Sequence, residues 1–279
     1  MNDEQVARHH ARIVTLEGGG NVRDLGGLPL GAGKQFAANQ LYRASALCEL
    51  TPLGKSQFAE LGLASVIDLR EEYELAIMDT RWMHDTPSAV LHIPSAVPRE
   101  RSNTVAGEKF IAKASAHAMR ARKADGYRTK PQELSAATRA MFECLADPSR
   151  SPVLVHCAGG ADRTGVICAV LLMWLGADWQ TALEDYLFTN VQKRELEATD
   201  GPLSDQRRIL AAYGFKDAPD TLLDAVSHLR EEYLAAAFEA IEDRHGGLER
   251  YLEETCAIDE ATLDSVRERL SVAPSLPAA

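Results

Sequence analysis

The 279-residue chain carries 30 Lys and Arg against 41 Asp and Glu, a formal net charge of −11, with 46% hydrophobic residues. That length and composition suit a soluble globular protein with a substantial core, and the acidic balance, with no basic stripe interleaved with aromatics, argues against nucleic acid as a partner. The longest apolar run, "VICAVLLMWL", is about half of the roughly 20 residues a membrane span requires, so no integral membrane association is expected.

The N-terminal "MNDEQVARHHARIVTLEGGG" has neither the order of a signal peptide nor an evident fold, so it reads as disordered. A cytoplasmic location is expected, with export without a signal peptide left open. Residues 18–34, "GGGNVRDLGGLPLGAGK", read as tight turns around a short ordered segment rather than a dinucleotide or Walker loop. "QLYRAS" (40–45) suits an extended element. In "TPLGKSQFAELG", Thr51 as N-cap, Pro52 at the first helical position and Gly62 past the end predict a helix. "ASVIDL" (64–69) and "AVLHIP" (89–94) suit buried strands.

Residues 99–130 depart from the acidic background, with nine Lys or Arg against three acids. Two readings stand: a solvated helical face, or a basic lid or insertion that covers an anionic substrate. Next come a helix over 131–147, a buried strand "PVLVH" (152–156), and a helix from about Arg163 that is hydrophobic nearly all round and therefore central. Further helices are predicted at 178–198, 204–213, 219–244, 248–256 and 259–270, and 271–279 reads as a flexible tail. The pattern predicts an α/β fold, a central mostly parallel sheet flanked by helices, with additional C-terminal helices. With no repeat and no linker, 1–279 reads as one domain.

Five cysteines, at 48, 144, 157, 168 and 256, form no CxxC pair and are odd in number. Neither a metal site nor a complete disulfide framework is indicated, and most read as small buried hydrophobes.

Cys157 is the exception, because of "HCAGGADRTG" (156–165). If strand 152–156 feeds a helix near Arg163, the backbone between must turn sharply. Its N–H groups then converge at a helix N-terminus, a ready site for an anion, with Gly159 and Gly160 supplying unusual φ angles. Ala158, Gly159, Gly160, Ala161, Asp162 and Arg163 are the candidate phosphate-binding residues. A thiolate at Cys157 is favoured by the same field; free thiols titrate at about 8.5, and such settings lower that by one to several units. Arg163, six positions on, can grip two oxygens of a tetrahedral oxyanion with its planar fork. Thr164 is positioned to hydrogen-bond the sulfur, and His156 to order the loop through backbone hydrogen bonds.

This Cys-x5-Arg loop resembles that of the bacterial tyrosine phosphatases, whose loop reads HCxAGKDRTG. "NVRDLGG" (21–27), "LYRASAL" (41–47), "LASVIDLREEYEL" (63–75), "DYLFTN" (185–190) and "GGLERYLEE" (246–254) resemble that family's other signatures, in order. The resemblance implies a cysteine-phosphatase-like fold and a protein-tyrosine phosphatase with dual specificity. It also implies a phosphocysteine intermediate, a phosphorylated protein or peptide as substrate, and no metal or organic cofactor. Where the family loop has lysine this chain has Ala161, which lowers the expectation of activity on phosphoinositides, the alternative substrate.

A general acid must protonate the leaving oxygen. Asp68, Asp79, Asp85 and Asp162 are the candidates, and Asp162, inside the loop, is within reach. It can serve as acid and then base, as the family's corresponding aspartate does, or it can cap the helix or fix Arg163. Asp68 in "DLRE" reads as pairing with a nearby arginine. Arg23, Asp24, Arg43 and Arg70 either frame the pocket or form structural ion pairs, and Tyr186 and Asn190 read as packing and helix capping. A phosphate-recognition module without turnover is a third reading. Inactive relatives lose the thiol or the arginine, and this chain keeps both.

Overall fold

A computed structural model describes residues 3–96, 115–200 and 227–274. Its centre is β6 (Val153–His156), in which the branched apolar Val153, Leu154 and Val155 follow Pro152 and lead to His156. Such a run is stable only when both faces are covered. β3 (Leu41–Ala44) and β4 (Ser65–Asp68) pair with it in parallel on either side, Leu41 and Ser65 both aligned with Val153. β5 (Ala89–His92) extends the sheet in parallel beyond β4, and β1 (Arg23–Asp24) closes the other edge antiparallel to β3. The order β1-β3-β6-β4-β5 is the mostly parallel sheet expected. Alternation along the strands divides the interior in two. Leu41, Ile67, Val153 and Val155 enter the larger core, while Tyr42, Ala44, Val66 and Leu154 enter the smaller one with Leu16 and Phe58.

The helices are α1 (Asp3–His10), α2 (Pro52–Glu60), α3 (Glu72–Leu75), α4 (Ala116–Glu133), α5 (Ser135–Ala146), α6 (Asp162–Trp174), α7 (Trp179–Asp200), α8 (Glu231–His245), α9 (Leu248–Arg250, running into a π turn over Tyr251–Thr255) and α10 (Glu260–Leu270). Thr51 caps α2 through the Gly54 N–H, and Gly62 follows with φ +60°, as its sequence indicates. In α6, Val166 through Leu172 are at most 2% exposed, which makes it the central helix. No helix among the described residues is long and apolar enough to cross a membrane.

Several elements differ from the sequence reading. The start is not disordered: α1 forms and is tied to α7 by Arg8 and Gln5, both on Glu184. Pro131 lies in the last turn of α4 instead of opening α5; the break falls at Leu134, whose φ/ψ of −102°/7° is not helical. The helix expected over 219–244 is interrupted at 228–230, where Arg230 is extended, and α8 begins at Glu231; residues 219–226, and the helix expected at 204–213, fall outside the described residues. Ser271 and Val272, assigned to the tail, form β7 antiparallel to β2 (Gln35–Phe36), where the Ala37 N–H donates to the Leu270 carbonyl and draws the chain end alongside. Of the basic stretch 99–130, the residues from Ala116 onward are α4, and 99–114 lie outside the described residues.

Candidate active site

The loop 157–161 leaves the carboxyl end of β6, between the carboxyl ends of β3 and β4, and runs into the N-terminus of α6. Three of its carbonyls are held outward. The Ala46 N–H donates to Ala158 O at 2.9 Å, Asn21 Nδ2 donates to Gly159 O at 3.2 Å and Gly160 O at 3.0 Å, and Arg43 donates to Gly160 O at 2.8 Å. In a trans peptide the N–H points opposite the carbonyl. Pinning these carbonyls therefore turns the N–H groups of Gly159, Gly160 and Ala161 to the other side, the concave face expected to hold an anion. Only Gly160 has the unusual φ, +59°, and a Cβ there would lie 2.3 Å from Ala44 O; Gly159 needs no such freedom.

Beneath the loop is a network of buried charge. Asp185 of α7 accepts from Arg12, Arg23 and Arg43 at 2.7, 3.1 and 2.6 Å, and Arg23 also reaches Thr189, Gln192 and the Asp185 carbonyl. Burial opposes the Asp185 charge, but the arginines, Arg23 first, hold its carboxyl well below the usual range. Three family-like segments, "NVRDLGG", "LYRASAL" and "DYLFTN", thus meet at one point under the loop. Arg23 and Arg43 belong to its support, whereas Asp24 binds the N–H groups of Gly26 and Asn39.

Arg163 is held by the Glu74 carboxylate and by a backbone carbonyl. Its fork donates to both oxygens of Glu74 at 2.6 Å, and it also donates to Leu69 O at 2.8 Å. Glu74 is buried and its Oε2 also accepts the Glu71 N–H, so the guanidinium plane is set from the short helix α3. Nothing in linear spacing singles out Glu74 among the acids of "REEYEL". Asp68 pairs with Arg70 as expected, its Oδ2 2.6 Å from Arg70 and 3.7 Å from His156 Nε2. Burial opposes the Asp68 charge, yet His156 and Arg70 hold its carboxyl down at about 2. His156 is buried, with Nδ1 3.4 Å from Cys157 O, and burial pushes its pKa down against the pull of Asp68. The ring thus sits between Asp68 and the Cys157 carbonyl at the start of the loop. Thr164 Oγ1 is buried with no hydrogen-bond partner among the described residues, so the sulfur contact expected of it is not made in this structure.

Asp162 opens α6 but does not cap it. Its Oδ1 accepts from Tyr127 Oη and lies 2.9 Å from Lys123 Nζ, both from α4. Burial raises its pKa, but Lys123, Lys130, the Tyr127 hydrogen bond and Lys193 outweigh burial and hold the carboxyl below the usual range. Asp79 and Asp85 lie elsewhere: Asp79 forms an exposed pair with Arg81, and Asp85 ends a short 3-10 turn. Tyr186 packs with its hydroxyl 2.7 Å from Tyr127 Oη. Asn190 caps no helix; it ties α7 to the backbone N–H and carbonyl of Leu229.

A sequence model described as the tyrosine phosphatase family matches residues 14–272. The chain belongs to the tyrosine phosphatase family. It is 29% identical to the triple specificity protein phosphatase PtpB of Mycobacterium tuberculosis, over 91% of this chain and 98% of that one. It is 28% identical to a Cupriavidus necator relative named as a tyrosine-protein phosphatase, over 92% and 87% of the two chains. Among solved structures, the Siw14 catalytic core matches 84% of this chain and 95% of its own length at 14% identity and a TM-score of 0.34. The protein is an enzyme, a protein-tyrosine phosphatase of this family, and a phosphorylated molecule is its substrate.

Proposed function

We propose that this phosphatase acts on phosphorylated proteins or peptides, with dual specificity, through a phosphocysteine intermediate on Cys157. The observation that carries the reading is a loop whose carbonyls are tied outward by Asn21, Arg43 and Ala46, with Cys157 at one end and the braced Arg163 at the other. The inward N–H groups of 159–161 and the Arg163 guanidinium, oriented by Glu74 on its Nη1–Nη2 fork, take the nonbridging oxygens of a phosphoryl group, and their charge grows in value as negative charge spreads over those oxygens in the transition state. Cys157 Sγ attacks phosphorus, and the bond to the leaving oxygen breaks as Asp162 hands that oxygen a proton. Water then attacks the phosphocysteine, gives a proton to the Asp162 carboxylate, and the S–P bond breaks to release inorganic phosphate. No step calls for a metal or an organic cofactor. Lys123, closest of the cations around it, favours the ionised form of Asp162. A bound phosphate dianion acts in the opposite sense, adding negative charge beside the carboxyl and competing for the ammonium.

A phosphoinositide is the second reading. Lys123, Lys130 and Lys193 lie near Asp162 and favour a substrate with more than one phosphate, whereas Ala161, buried at the loop, supplies no cation. The test is kcat/KM for phosphate release from a phosphotyrosine peptide, a phosphoserine peptide and short-chain phosphoinositides, with Cys157→Ser in parallel. Preference for the peptides, lost in the variant, supports the first reading. Preference for the lipids supports the second, and turnover unchanged in Cys157→Ser overturns the cysteine mechanism.

A further inference from the structure

The two carboxylate oxygens of Asp162 are treated differently. Oδ1 takes both donors, Tyr127 Oη and Lys123 Nζ. Oδ2 accepts no hydrogen bond from the described residues and is not among the buried unsatisfied atoms, while the side chain as a whole is 37% exposed. Oδ2 is therefore the oxygen open to solvent.

The donor on Oδ1 is held rigidly. Tyr127 is 1% exposed, and its ring lies against Tyr233, edge-on to Tyr186 and under the Lys130 ammonium. A carboxylate only accepts, so the Tyr127 proton points at Asp162 and Tyr186 Oη donates to Tyr127 Oη at 2.7 Å. Burial keeps both phenols protonated, with the Asp162 charge acting in the same direction. Tyr186 packs closely over Gly165, its ring edge standing 2.7 Å from where a Cβ there would lie. A relay of two buried hydroxyls thus ends on one oxygen of a partly open carboxylate.

We propose that Tyr127, backed by Tyr186, is the positioning residue for proton transfer, clamping Oδ1 so that Oδ2 alone gives the proton to the leaving oxygen and takes it from water, while Lys123 sets the pH at which that proton is held. The proposal rests on the reading of Asp162 as acid and base. A second hydrogen-bonded proton on Oδ1 competes with the Tyr127 donor, so protonation is directed to the other oxygen. Clamping also removes rotation about the carboxyl axis, a cost otherwise met in each proton transfer.

The experiment compares Asp162→Asn, Tyr127→Phe, the double variant and Lys123→Met. Substrates are a phosphotyrosine peptide and an aryl phosphate with a nitrophenolate leaving group; the readouts are kcat/KM across pH and Tm. Tyr127→Phe is expected to lower kcat/KM about tenfold on the peptide and less than twofold on the nitrophenyl ester, with no further loss when added to Asp162→Asn. Equal losses on both substrates, or additive losses in the double variant, would overturn the positioning role. If Asp162→Asn itself shows equal losses, the acid assignment fails and takes this proposal with it; if Asp162→Asn discriminates and Tyr127→Phe does not, this proposal alone fails.

Lys123→Met supplies a second test, one that leaves the tyrosine hydroxyls in place. Asp162 is faced by Lys123, Lys130 and Tyr127 from α4 and by Lys193 and Tyr186 from α7, with Arg163 next in the chain and Tyr233 of α8 under Lys123. Removing one of these cations raises the Asp162 pKa. The acid form then persists to higher pH, and the alkaline limb of kcat/KM on the peptide moves up. An unmoved or lowered limb would overturn the role given to Lys123.

Discussion

Beneath the loop, Arg23, Arg43 and Asp185 are at most 1% exposed and share their hydrogen bonds with one another and with Thr189, Gln192 and Gly160 O. At its mouth, Asp162 and Lys123 are paired equally closely, yet their side chains are 37% and 13% exposed. Charges in the first group have no access to water, so each depends on its partners and the geometry is stiff. Those in the second can exchange a partner for water, substrate or a proton. Arg12, Arg23 and Arg43 around one Asp185 also leave an excess of positive charge under the loop proposed to hold an anion. The buried side thus orients the loop, and the open side carries the groups proposed to handle protons.

Substitutions on the two sides should differ in kind. Cys157→Ser, between them, is expected to bring phosphotyrosine turnover below a few per cent while far-UV CD and Tm stay near the parent; residual turnover above that level would remove the thiol from the mechanism. On the buried side, Asp185→Asn leaves three guanidiniums without their shared carboxylate and should cost about 3–5 kcal/mol in denaturant unfolding. A loss under about 1 kcal/mol would mean that water reaches the network. Gly160→Ala sets a Cβ against Ala44 O in a left-handed backbone. A smaller stability loss of about 1–3 kcal/mol is expected, with a disproportionate fall in phosphate affinity measured by calorimetry.

Acid sensitivity sharpens the same contrast. Asp68 is held at about 2 against an ordinary 3.8, so its pairing with His156 and Arg70 stabilises the fold above the ordinary value. That contribution, about 2 kcal/mol, is lost as pH falls from roughly 4 toward 2. Asp68→Asn should remove this part of the pH dependence of Tm; an unchanged profile would assign acid unfolding to other carboxylates such as Asp185. The smallest effect is expected at the exposed Asp79–Arg81 pair, where Asp79→Asn should leave both Tm and kcat/KM unchanged.

Local pattern was enough for much of this. The apolar run before Cys157, the apolar circumference of 166–172 and the Thr-Pro start at 51–52 each carry their structural meaning within a few residues, because hydrogen bonding and side-chain alternation in strands and helices are short-range. The loop was legible for the same reason: strand, turn and helix N-terminus follow one another in the chain. Its partners were not. Glu74 lies 89 residues from Arg163, Asp185 lies 142 from Arg43, and Tyr127 lies 35 from Asp162. Such pairings are chosen by which strands neighbour β6 and which helices cover the sheet, and an acid or a tyrosine carries no local mark of the partner it will meet. For the same reason the basic stretch could not be resolved between a solvated face and a cover. Only the packing of α4 against α8 turns Lys123 and Tyr127 toward Asp162.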